Sequence, residues 1–178
     1  MARIALPDAR GFAGFRFRDD VVSGRGRLVL LSFLMLFVEL ALIRWLGSND
    51  VYLSYFSNFV LLGSSLGIGA GFLRGKSRMD LFPWAATALA CLVVFVLLFP
   101  VTIDRSGSQL IYFGGTTRGL PMLVILPVIF FLVAVVMASI AQGVARTFAL
   151  FEPLEAYRLD ILGSLAGIAA FSLLSFFG

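Results

Sequence analysis

Apolar runs of about 20 residues recur along this chain, and a run of that length, coiled as a helix, matches the hydrocarbon thickness of a bilayer. In lipid the backbone must satisfy its own N–H and C=O groups, which a helix does within one segment. The sequence therefore reads as an all-α, polytopic transmembrane helical bundle with five predicted spans, at about 28–46, 51–73, 82–101, 120–144 and 156–176. Residues 1–27 form a separate basic amino-terminal segment. Composition points the same way: 60% of the 178 residues are hydrophobic and 13% are charged, more apolar surface than a soluble domain of this size hides.

Charge is distributed unevenly. Arg3, Arg10, Arg16, Arg18, Arg25 and Arg27 precede the first apolar run, and Arg74, Lys76 and Arg78 crowd the connection after the second. The positive-inside rule assigns both regions to the cytoplasmic side. With five spans the amino terminus is cytoplasmic and the carboxyl terminus periplasmic or extracellular, in a bacterial inner membrane. The partners this implies are membrane lipids with anionic headgroups. Nucleic acid is not expected, because Asp8, Asp19 and Asp20 dilute the basic run and no groove of interleaved aromatic and basic residues is visible. Phe12, Phe15 and Phe17 suit a segment lying on headgroups, whereas Gly11, Gly14, Gly24 and Gly26 favour partial disorder over a long helix. The first span reads as retained, since nothing near it resembles a cleavage site.

Histidine is absent and Cys91 is the single cysteine. No disulfide within the chain, no ordinary zinc, haem or iron–sulfur ligand set and no cysteine–histidine pair follows from such a composition. No catalytic residue, metal or cofactor is expected. Cys91, between Ala90 and Leu92, reads as a packed apolar thiol, and Ser64, Ser65 and Ser164 read as small polar residues at helix contacts.

The intramembrane polar candidates are Glu39, Arg44 and Asp160. A carboxylate near bilayer depth is costly and rarely faces lipid, so Glu39 is expected to point into the bundle or a wet cavity. It is either a functional site or one half of a buried polar clamp. Arg44 is expected either to snorkel to the interface or to lean back toward Glu39. The helix-packing candidates are Gly63, Gly67 and Gly71 on the second span and Gly163 and Gly167 on the fifth, where a spacing of four lines small residues along one face. GIGAG at Gly67–Gly71 follows no strand and is no dinucleotide loop. Gly47–Asp50 reads as a tight turn between spans one and two, Tyr52 and Tyr55 as an interfacial belt, Thr102–Gly119 as the long outer loop, and Pro127 as a bend in span four.

Three stretches taken together, ELALIRWLG at Glu39–Gly47, YFSNFVLLGSSLGIGAG at Tyr55–Gly71 and PLEAYRLDILGSLAGIAAFSLLS at Pro153–Ser175, resemble the membrane-embedded amino-terminal region of membrane-associated spermidine-synthase-like proteins. The resemblance runs from about Leu28 to Gly178. In that family transmembrane helices precede a cytosolic aminopropyltransferase-like domain, which the present residues lack, together with its glycine loop for decarboxylated S-adenosylmethionine and its polyamine-directed carboxylates. The positions carried over are Glu39, Arg44, Tyr157, Asp160 and Gly163. The expected function is a non-catalytic membrane module or subunit that packs through small-residue helix faces against an integral membrane protein, a separately encoded synthase-like protein or a larger complex. The alternative is a transporter or binding protein for a small organic cation such as a polyamine, with Glu39 and Asp160 supplying negative charge.

Overall fold

A computed structural model of the chain describes residues 10–49, 57–99 and 122–177. These residues form five α-helices and one 3-10 turn: α1 (Arg10–Asn49), α2 (Ser57–Leu73), the turn Phe82–Trp84, α3 (Ala85–Leu98), α4 (Met122–Phe148) and α5 (Pro153–Phe177). The all-α class and multi-pass membrane character hold. The count of five spans does not.

Three helices among the described residues are long and apolar enough to cross a membrane: Gly24–Gly47 within α1, Val124–Phe148 within α4 and Pro153–Phe177, which is α5. The apolar stretches Asn58–Leu73 and Phe82–Leu98 are shorter. At about 1.5 Å per residue each covers roughly 24–26 Å, less than a hydrocarbon core of about 30 Å. Local chemistry marks the end of the first and both ends of the second. The basic connection follows Leu73, Pro83 confines the start of the next element to a 3-10 turn, and Phe99, which precedes Pro100, leaves the helical region at φ −122°, ψ 60°. Tyr52, Tyr55 and the loop Thr102–Gly119 lie outside the described residues.

α1 begins at Arg10, well before the predicted start, and runs through Gly11, Gly14, Gly24 and Gly26. Glycine lowers helix propensity by about 1 kcal/mol but keeps its N–H, so the hydrogen-bond ladder continues where proline would stop it. Gly24 also makes a packing contact, since a Cβ there would lie 3.1 Å from the Phe151 ring. The predicted turn residues Gly47–Asn49 form the last residues of α1.

Leu28, Leu31, Met35, Val38 and Leu42 repeat at spacings of three and four, the signature of one apolar seam, and all are buried. α4 is the most enclosed of the long helices and α5 the least. Ile125, Ile129, Val133, Val136, Met137, Ile140 and Val144 bury the inward side of α4. Pro127 lies inside α4 and the helix continues past it.

The strongest pairings join helices distant in sequence: α1 with α5 and α2 with α4. Both pairs run parallel. Along the first, Arg25 meets Glu155, Ser32 meets Asp160, Phe37 meets Phe171 and Arg44 meets Ser175, so both numberings climb together. Along the second, Phe59 meets Phe130, and Gly67, Gly71 and Gly75 lie against Ala134, Ala138 and Ala145. Cys91 is exposed on α3 and is not packed, contrary to its sequence reading.

Candidate functional site

Ser32 and Glu39 are seven residues apart on α1, which places them two turns apart and within about 20° of one face. They tie the apolar seam to two different helices. The Ser32 hydroxyl donates to Asp160 Oδ1 of α5 at 2.5 Å, and the Ser64 hydroxyl of α2 donates to Glu39 Oε1 at 2.7 Å. Both serines are buried and both carboxylates half-buried. The Leu61 carbonyl lies 3.0 Å from the same Ser64 oxygen, and the single hydroxyl proton serves one of the two acceptors at a time.

Arg44 turns away from Glu39. Its Nη1 donates to the Ser175 carbonyl at 3.2 Å and contacts the Ser175 Oγ, tying the far end of α1 to α5. Five residues on a helix separate side chains by about 140° around the axis, so the two charges project from different faces. Among the described residues the ion pairs are Arg25 with Glu155 at 2.6 Å and Arg146 with Asp80 at 3.0 Å, both at the other end of the bundle.

The packing glycines sit where backbones meet. A Cβ at Gly63 would lie 3.2 Å from the Phe130 ring, and one at Gly71 would lie 2.5 Å from the Ala138 carbonyl oxygen and 2.7 Å from Ala141 Cβ. At Gly67 it would fall 2.9 Å from both Ala134 Cα and Met137 Cβ, and into the Ala134 carbonyl oxygen. Gly163 presses on Val29 and Ser32, and a Cβ at Gly167 would stand 2.6 Å from the Phe33 carbonyl oxygen. Helices of the same chain therefore fill these small-residue faces.

Two residues that sequence reasoning passed over form the densest polar cluster. Gln142 is completely buried in α4. Its Oε1 accepts from the Leu81 N–H at 2.7 Å, while its Nε2 donates to the carbonyls of Arg74 at 2.9 Å and Met79 at 2.8 Å. One turn later, Arg146 Nη2 donates to the carbonyls of Ser77 at 2.7 Å and Met79 at 2.8 Å while Nη1 pairs with Asp80. The clamp fixes the backbone of the connection from Arg74 to Leu81 against α4. A signal was present, since an amide inside a long apolar run needs partners, but the sequence did not say which connection supplies them.

A cavity of about 410 Å³ opens between α1 and α3, lined by apolar side chains including Phe37, Leu42, Trp45, Leu89 and Leu97. Glu39, Arg44 and Asp160 do not line it. Among the described residues no group of three His, Cys, Asp or Glu side chains could hold a metal ion. What the polar groups supply is a set of helix-to-helix hydrogen bonds. No protein-family model matches the chain, nor does any curated protein or solved structure.

Proposed function

We infer that the chain is a non-catalytic integral membrane module whose polar residues lock a bundle together and whose outer apolar face receives a partner protein. The observation that carries this reading is the dispersal of the polar side chains: Glu39, Asp160, Arg44 and Gln142 each bond to a different neighbouring element and do not converge on the cavity. The face assigned to a partner is that of α5, the least enclosed of the long helices, which packs chiefly on α1 and leaves Leu162, Leu165, Leu173 and Leu174 exposed. The motif resemblance suggests a separately encoded synthase-like protein as the partner and a bacterial inner membrane as the setting. Arg25, Arg27, Arg74, Lys76, Arg78 and Arg146 belong to one end of the bundle, which supports a cytoplasmic start for α1 and an outer end for α5.

Purification in mild detergent, with identification of the proteins retained, tests the module. A stable complex that survives in Glu39→Gln and weakens in Glu39→Leu is the expected result, because glutamine keeps an acceptor for Ser64 and leucine removes it. A pure monomer overturns it. Flux of labelled polyamine into vesicles, lost in E39Q while the fold is intact, would instead establish the cation-transport reading. Orientation is read from the labelling of S77C and N49C in a Cys91→Ser background, with S77C expected to react from the cytoplasmic face and N49C from the outer one.

A further inference from the structure

The Gln142–Arg146 clamp leaves a specific surface behind. By drawing the carbonyls of Arg74, Ser77 and Met79 and the N–H of Leu81 inward, it turns the side chains of Arg74, Lys76 and Arg78 outward, and all three are exposed. Gly75 adds a second restraint, since a Cβ there would lie 2.9 Å from Ala145 Cβ. Asp80, the one carboxylate of this connection, is engaged by Arg146, and among the described residues none of the three outward cations has an acidic partner. The surface is flanked by exposed apolar side chains, with Leu73 88%, Met79 72% and Trp84 65% accessible.

We propose that this clamped connection is a docking surface for anionic phospholipid headgroups, with Arg74, Lys76 and Arg78 meeting phosphate and Trp84, Met79 and Leu73 lying at the acyl boundary. Charge complementarity selects the occupant: three uncompensated cations on a fixed backbone, ringed by apolar side chains and placed at a bundle end, match the headgroup layer of a bilayer. A soluble anion would use the cations and leave the apolar ring unused. The inference needs only a membrane-embedded chain and is independent of any protein partner.

The test uses the full chain with Trp45→Phe, verified to unfold thermally as the parent does, which leaves Trp84 as the single tryptophan of the two in the sequence. The protein is reconstituted into phosphatidylcholine vesicles doped with either brominated phosphatidylglycerol or brominated phosphatidylcholine. Each basic residue near an anionic surface contributes roughly fivefold, so Trp84 quenching should favour phosphatidylglycerol by roughly tenfold or more in association constant. The preference should collapse toward unity in R74Q/K76Q/R78Q and persist in R74K/R78K. K76Q alone, outside every hydrogen bond of the clamp, should lower it severalfold, so the outcome does not depend on folding of the triple variant. Equal quenching by the two lipids in the W45F parent, or an undiminished preference in K76Q, overturns the proposal. Loss of the preference on adding millimolar inorganic phosphate, but not chloride of equal ionic strength, would reassign the surface to a small anion and overturn it equally.

Discussion

Gln142 shows how one residue can decide the shape of a connection. Its amide has one acceptor oxygen and two donor hydrogens, and the bonds to Leu81, Arg74 and Met79 use all of them, so a polar group that is expensive inside an apolar helix becomes a restraint on backbone. Gln142→Leu keeps the size and removes all three bonds. Unsatisfied buried groups cost about 1–3 kcal/mol each, but the connection is partly exposed and water recovers some of the loss, so a net destabilisation of about 2–3 kcal/mol is expected. Thermal unfolding in detergent measures it. Hydrogen exchange at the Leu81 amide separates the clamp from a general packing defect: exchange there should accelerate more than at the Ala141 amide within α4. Equal acceleration at both sites would show that Gln142 supports the helix and does not hold the connection.

At the scale of elements, α2 and α4 approach along glycine and alanine, and α1 and α5 along Gly163 and Gly167. The glycines of α2 are not equivalent. Gly67 faces the Ala134 backbone, while Gly69, two residues on and rotated by about 200°, has nothing within 4 Å of its would-be Cβ. Gly67→Ala should cost about 1–3 kcal/mol, because backbone cannot move aside as a flexible side chain can. Gly69→Ala should be neutral or stabilising by up to about 1 kcal/mol, since alanine restricts the unfolded chain and meets no neighbour. Folded yield and thermal stability of the two variants compare them directly, and equal losses would contradict the α2–α4 register. Spacing of four in the sequence marks a face that admits close approach, but it does not say which helix fills it. The partner depends on the register of Ala134, Ala138, Ala141 and Ala145 along α4, a stripe whose match to the glycines of α2 follows only once the two helices are known to run side by side and parallel.

Across the whole molecule, helicity and apolar character were legible because composition and run length act locally. The start of α1 and the helix pairings were not. The stop at Leu73 falls where the apolar run gives way to the basic connection, whereas the extension of α1 back to Arg10 runs through four glycines and has no apolar signal. Glu39 stands out in the sequence as a carboxylate inside an apolar run, whereas its partner Ser64 and the turn of Arg44 toward Ser175 depend on which helices stand beside α1. The parallel pairing of α1 with α5 joins residues more than a hundred positions apart, as in the bonds from Ser32 to Asp160 and from Arg44 to Ser175. Cross-linking tests that arrangement in a Cys91→Ser background. Arg25 and Arg44 are 19 positions apart on α1, or about 28 Å along the axis at about 1.5 Å per residue, so a short bifunctional maleimide cannot bridge the wrong ends. R25C/E155C and R44C/S175C should each cross-link within one chain, because the native side chains touch. R25C/S175C and R44C/E155C should not. An antiparallel α1–α5 pair would reverse the pattern, linking the second two and sparing the first two, and a mass shift after proteolysis between the helices distinguishes these outcomes.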